Sequence, residues 1–273
     1  MKRLLLLCVL LLSACERPTD TGWLGYAEGE TAMIAAPGAG WVSGMTIQRG
    51  DTVQKGQTLF RLDDIRQEAA TNVAQASLEA ANAQIAEARA NVAYAQKELT
   101  RQTNLVREQA GTMAALDLAR ANYQSARARL TQLEAQANQS KANLADTSYQ
   151  LSERSITART EGRVEDIFFR EGEYAPAMTP VVAILPPENV FVRFFVPESE
   201  FAKIRMGQKV TITCDGCAGN ITGNISFIAS KQEFTPPVIF SVGNREKLVF
   251  KVEARAPGGL KLNPGQPVQV RPL

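Results

Sequence analysis

A single repeat, broken by a long insert, constrains this chain more than any other feature. Ala36, Gly40, Val42, Ile47, Gly50, Val53, Leu59 and Leu62 return 122 positions later as Ala158, Gly162, Val164, Phe169, Gly172, Ala175, Val181 and Ile184. Each half alternates short apolar runs with Gly at fixed offsets, the pattern of tight turns between short strands, because Gly accepts positive φ without steric cost. Neither half is long enough to bury a core by itself, so the two are expected to pack on each other. That packing brings the ends of the insert, near Asp63 and Ile156, together in space. An insert that leaves and returns to one place is a hairpin.

The insert reads as two long helices. Residues 64–107 contain no Pro or Gly and are dominated by Ala, Gln, Glu and Arg, which favour helix. A second such run covers 113–152. In the first, Ala74, Leu78, Ala81, Ile85, Ala88, Val92, Ala95, Leu99, Gln102 and Val106 follow 4,3 spacing. In the second, Leu116, Ala119, Tyr123, Ala126, Leu130, Leu133, Ala137, Ser140, Leu144, Thr147 and Leu151 follow 3,4 spacing. These are two heptad seams of matching length, which predicts an antiparallel coiled-coil hairpin about 65 Å long. Small Ala alternating with Leu, Ile and Val lets the helices approach closely, giving a slender rod. In the link 108–112, Gly111 is expected at the C′ position of the first helix and Thr112 at the N-cap of the second.

The first residues read as an export signal. Lys2 and Arg3 precede an apolar run from Leu4 to Leu12, followed by Ser13, Ala14 and Cys15. Nine apolar residues span only about 14 Å as a helix, too little for a permanent membrane anchor. Leu12-Ser13-Ala14-Cys15 resembles the bacterial lipobox, in which the Cys is diacylated and becomes the mature N-terminus; on that resemblance Cys15 is the lipid anchor. Loss of residues 1–14 removes two of the 30 basic residues and leaves 28 against 28 acidic ones. A neutral chain has little support for nucleic-acid binding. There is no His, which removes the commonest general base and metal ligand. No paired-carboxylate, P-loop, GxSxG or dinucleotide signature is present, so the chain is read as not an enzyme, with no cofactor and no metal.

Of four cysteines, Cys8 leaves with the signal and Cys15 would carry lipid, so Cys214 and Cys217 remain. In an exported protein such a close pair points to a small structural disulfide. The rival is a soft-metal or redox site. Two thiolates without further ligands fall short of a zinc set, and Asp215-Gly216 reads as a turn rather than the helix start of a redox CxxC.

After Pro186-Pro187 come short apolar or alternating runs at 190–196, 210–214, 221–228, 248–254 and 268–270, the pattern of a small antiparallel β-barrel, to which 22–30 is expected to add a strand. Residues 201–206 are expected to form a short helix.

A split β-module with a helical hairpin between its halves, behind a lipobox, resembles the HlyD-like family of membrane fusion proteins, or periplasmic adaptors, in the lipoprotein form associated with ABC-type efflux. The resemblance implies an α+β chain made of a split lipoyl-like β-module, an inserted antiparallel coiled-coil hairpin and a small antiparallel β-barrel. The expected divisions are 1–14 signal peptide, 15–32 lipid-anchored linker and first barrel strand, 33–62 first lipoyl-like half, 63–155 hairpin, 156–186 second half and 187–273 barrel. True lipoyl and biotinyl domains carry a modified Lys where this chain has Leu62-Asp63-Asp64-Ile65, so no covalent cofactor is expected. In the family the hairpin tip carries Arg-x3-Leu-x6-Ser, which docks on a TolC-like channel of the outer membrane. The same spacing here reads Arg101, Leu105 and Thr112, with Thr keeping the hydroxyl. Arg101 and Leu105 are i and i+4, share a helix face and lie off the seam, so Leu105 is expected to be exposed near the tip.

The resemblance further implies an inner-membrane transporter as partner, a homo-oligomeric ring expected to be hexameric, and residence in the periplasm, lipid-anchored to the inner membrane of a Gram-negative bacterium. Glu233-Phe234-Thr235-Pro236-Pro237 resembles a motif of the transporter-associated branch; read alone it is a proline-stiffened loop between strands. The end at Leu273, with no further domain after the last strand, together with the long hairpin, favours an ABC-type partner. The function expected is therefore an adaptor linking an ABC exporter to a TolC-like channel. A metal-efflux adaptor or metal chaperone using Cys214 and Cys217, and a structural envelope lipoprotein, are the alternatives.

Overall fold

A computed structural model describes residues 22–217, 219–234 and 248–273. The signal segment, Cys15 and Thr235–Pro237 lie outside these residues. The chain divides into two compact units. One holds Met33–Thr160 and Asp166–Ala183; the other holds Glu161–Glu165, Ile184–Leu273 and the residues up to Ala32.

The chain opens with β1 (Trp23–Gly29), β2 (Ala32–Ala35), β3 (Gly40–Met45), β4 (Thr52–Val53) and β5 (Thr58–Leu62). The helices α1 (Ile65–Arg107) and α2 (Met113–Ser152) follow, then β6 (Ser155–Thr157), β7 (Gly162–Ile167), β8 (Tyr174–Ala175) and β9 (Pro180–Leu185). The two repeat halves interleave. One four-stranded sheet has the order β2-β9-β7-β4 and the other β6-β5-β3-β8, so each draws two strands from each half.

The repeat recurs in the hydrogen bonds. Thr46 donates its backbone N–H to the Leu59 carbonyl at 3.1 Å, and Phe168 donates to Val181 at 2.8 Å. The Asp51 carboxylate accepts from the Gln48 backbone at 2.8 Å, as that of Glu173 accepts from Arg170 at 2.9 Å. Gly50 and Gly172 take φ of +91° and +86°, the left-handed conformation that the repeat needs at this turn. Ala36, Val42, Val53, Leu59 and Leu62 are buried, and so are their counterparts Ala158, Val164, Ala175, Val181 and Ile184. One pair breaks the match: Ile47 is buried, whereas Phe169 is half-buried.

Every predicted seam residue of α1 and α2 is buried or half-buried, with Ala81, Ile85, Ala88, Leu133 and Ala137 forming a common cluster with Leu130. Ser140 is buried in the seam, with its hydroxyl 3.4 Å from that of Ser77. The helices return to adjacent strands: Arg61 stands opposite Ser155, and Phe60 opposite Ile156.

The second unit is built from β10 (Val190–Pro197), β11 (Lys209–Thr213), β12 (Ile221–Phe234), β13 (Leu248–Arg255) and β14 (Pro267–Pro272) together with β1, closed in the order β1-β10-β13-β12-β11-β14. Closure gives every strand of this barrel a hydrogen-bonded neighbour on both sides. Alternate residues Val190, Val192, Phe194 and Val196 of β10 fill the core. The Trp23 ring stacks on Phe194 at 5.6 Å, and its Nε1–H donates to Glu200 at 2.6 Å. The short helix expected at 201–206 is instead a 3-10 helix at Glu198–Lys203. It starts directly after Pro197, whose fixed φ suits helix entry, and the chain turns extended at Ile204, which is buried. The reading of Glu233-Phe234 as loop is also corrected: both residues end β12, where Glu233 pairs with Lys251 of β13 at 3.0 Å and the ladder holds the backbone extended.

Candidate functional site

The hairpin tip is a five-residue turn whose geometry departs from expectation. Glu108 caps α1, and the left-handed C′ residue is Gln109, with φ +58°. Gly111 is not the left-handed residue. Its role is close approach: a Cβ there would stand 3.0 Å from Leu105 Cβ and 3.1 Å from the Val106 backbone nitrogen. Ala110 donates its N–H to the Leu105 carbonyl at 2.8 Å, folding the link back over the end of α1. Leu105 is consequently half-buried under Gly111 and not exposed as the spacing suggested. Thr112 is the N-cap of α2; its hydroxyl accepts the Ala115 N–H at 3.2 Å, and its extended backbone turns the chain into the helix.

Arg101 projects into solvent one turn before Leu105, its side chain 68% exposed, and forms an ion pair with Glu98 at 2.6 Å. The Glu98 carboxylate also accepts from Gln102 Nε2 at 2.8 Å. The hydrogen bond from Arg101 lowers the pKa of Glu98, helped by the bond from Gln102, and the same bond raises that of Arg101. The tip thus presents a held, permanently charged guanidinium with donors left over for a partner carboxylate or carbonyl.

Two further side chains belong to this side of the rod. An open groove is lined by Gln84, Glu87 and Asn91 of α1 and by Asn122, Ser125 and Arg129 of α2, with Ala88, Ala126 and Leu133 as its floor. In a coiled coil, residues seven apart share a line. Glu87, Tyr94 and Arg101 form one such line, Asn91, Glu98 and Leu105 a second, and Leu118 and Ser125 a third. Tyr94 is 73% exposed and Leu118 64% exposed, on the same side as Arg101 and Leu105. The opposite flank of the seam carries the Arg89–Glu134 ion pair at 3.6 Å. Sequence reasoning passed over Tyr94 and Leu118, although their shared heptad lines with Arg101 and the groove were readable.

Cys214 and Cys217 flank the turn between β11 and β12, with Cα atoms 5.4 Å apart and their sulfurs bonded. Among the described residues no cluster of three or more His, Cys, Asp or Glu could hold a metal ion. No helix among them is long and apolar enough to cross a membrane.

No protein-family profile matches the chain. It is 27% identical over 266 residues to a UPF0194 membrane protein from the asrC 5′ region of Acidithiobacillus ferridurans, covering 83% of this chain and 79% of the relative. Among solved structures it is similar to MacA from Actinobacillus actinomycetemcomitans, with a TM-score of 0.71 at 18% identity over 91% of this chain and 76% of that one. It is also similar to the periplasmic adaptor protein EmrA, with a TM-score of 0.53 at 13% identity over 93% of this chain and 98% of that one. These likenesses give the chain the same fold as MacA and as the periplasmic adaptor protein EmrA.

Proposed function

We propose that this chain is a periplasmic adaptor that links an inner-membrane ABC-type exporter to a TolC-like outer-membrane channel, anchored by lipid on Cys15. The observation that carries the reading is the hairpin tip, where Arg101 is exposed on a rigid helix and Leu105 and Thr112 flank a turn tightly folded on itself. The action is mechanical. Several copies form a ring through the lipoyl-like module built from 33–62 and 156–186, the hairpin of 63–155 projects toward the channel, and the barrel of 187–273 rides on the transporter. Repeated weak contacts around a ring let each tip bind modestly while the assembly holds firmly. The Cys214–Cys217 pair is bridged after export, as the oxidising compartment favours.

Export by cells carrying Arg101→Asp as their sole copy tests the reading. The charge reversal faces Glu98 and Tyr94 on the exposed surface of α1 and no seam residue, so the hairpin folds and export is lost. Wild-type export from this variant would remove the tip from the mechanism.

A further inference from the structure

The turn between β11 and β12 reads Cys214-Asp215-Gly216-Cys217. Cys217 donates its N–H to the Cys214 carbonyl at 3.2 Å, and Gly216 takes φ +81°, so the turn is held by its own backbone. Both cysteine side chains are half-buried against the barrel core. A bridge closing so short a loop constrains the unfolded chain little, so stability alone gives a weak reason for the pair.

Gln266, at the entry to β14, gives a stronger one. Its Nε2 lies 3.3 Å from Cys214 Sγ and 3.8 Å from Cys217 Sγ. Its Oε1 accepts the backbone N–H of Asn263 at 3.2 Å, its own N–H donates to the Asn263 carbonyl at 3.0 Å, and its carbonyl accepts from Ala27 at 2.9 Å. Because the carbonyl end of the side-chain amide is occupied by a backbone donor, the amide cannot turn round, and the NH2 group is what faces the sulfurs. A disulfide sulfur is a weak acceptor. A thiolate is ionised and accepts far more strongly. A donor fixed on both sulfurs therefore favours the reduced, ionised pair over the bridge.

We propose that Cys214–Cys217 is a reversible dithiol–disulfide couple that exchanges with a dithiol reductant, and that Gln266 is the positioning residue that tunes it. In the exchange, a reductant thiolate attacks Cys217 Sγ and a mixed disulfide forms as the bond to Cys214 breaks. Cys214, the sulfur nearer the amide, leaves as the thiolate. The second thiol of the reductant then attacks its own sulfur in the mixed disulfide and releases the Cys217 thiolate. The reductant ends as a disulfide, and its two protons pass to the cysteines. A lower leaving-group pKa speeds the first step, and thiolate stabilisation shifts the equilibrium toward reduction.

The test is equilibration of the full chain, without denaturant, in graded mixtures of reduced and oxidised dithiothreitol, with the thiols counted after alkylation. Gln266→Glu keeps the acceptor for Asn263 and replaces the donor with a carboxylate; Gln266→Met removes the donor. Both variants are expected to lower the equilibrium constant for reduction at least tenfold, which is about 30 mV at two electrons. In reduced wild type, the pH dependence of iodoacetamide alkylation should place the more reactive thiol below the ordinary value of about 8.5, a measurement that needs no variant. Equal constants for wild type and both variants, or a wild-type thiol titrating at or above the ordinary value, would overturn the assignment.

Discussion

The backbone N–H of Leu62 donates to the carbonyl of Arg154 at 2.8 Å, so the chain enters the hairpin and returns from it through one hydrogen bond. The Arg154 guanidinium then reaches across to the Ala39 carbonyl, also at 2.8 Å. The first bond closes the base of the rod, and the second ties it to the loop before β3. Arg154→Met keeps the stem and loses the side-chain bond, and should cost about 1.5 to 3 kcal/mol, the range for a bond to a charged donor. Chemical denaturation followed by circular dichroism reads this, with native helix content unchanged.

Met178 occupies the left-handed position that Gly56 holds in the other half of the repeat, with φ of +58° against +87°. Its N–H donates to Ala36 at 2.9 Å, as that of Gly56 donates to Ala158 at 2.8 Å. The side chain is 74% exposed, so it packs little and the backbone cost is not offset by burial. Met178→Gly is expected to raise stability slightly, by about 0.5 kcal/mol once the added freedom of the unfolded chain is deducted. Gly56→Met is expected to lower it by about 1 kcal/mol. Thermal unfolding of the two variants should move in opposite directions.

Thr112 can be separated from docking by its cap. Thr112→Ala loses the hydroxyl that accepts from Ala115 and should cost about 1 kcal/mol, whereas Thr112→Ser keeps the acceptor and should be silent in both stability and export. Gly111→Ala pushes a Cβ against Leu105 and the Val106 backbone, and should speed amide exchange at the tip. Hydrogen exchange at Ala110 and Ala115 measures both effects.

The proposed lipid attachment rests on Cys15, since only a thiol accepts the diacylglycerol. Cys15→Ser should abolish palmitate labelling and leave the precursor uncleaved. Equal labelling of wild type and variant would contradict the anchor.

Periodicity made the rod legible: the heptad spacing alone picked out residues that are buried or half-buried along both helices, since a seam must recur every 3.5 residues. The repeat likewise marked the positions that carry matched turns and matched burial, because Gly50 and Gly172 do the same backbone work. The tip was less legible. Gln109 adopts the left-handed turn that composition assigns to Gly, and Gly111 serves a contact with Leu105 that depends on how the link folds back, a tertiary matter that spacing does not encode. Tyr94 and Leu118 are easily passed over because an exposed aromatic or Leu is unremarkable singly; the seven-residue spacing that joins Tyr94 to Arg101 and Leu118 to Ser125 gains meaning once Glu87 and Ser125 are seen to line one groove. The donor bonds from Gln266 to Cys214 and Cys217, across 52 and 49 residues, had no local signal at all.

Docking of the tip on an outer-membrane channel is the central claim, and a photo-crosslinker at Gln109, in living cells that carry the full chain, tests it most directly. With an otherwise wild-type chain the probe should capture a TolC-like channel. Arg101→Asp should abolish that capture, and Leu118→Ser should weaken it, while helix content, lipid labelling and inner-membrane association stay as they are. Leu105→Ser should abolish capture too, though its half-buried side chain also supports the turn. Undiminished capture of the channel by Arg101→Asp and Leu105→Ser, or capture of no channel by the unaltered tip, would contradict the account.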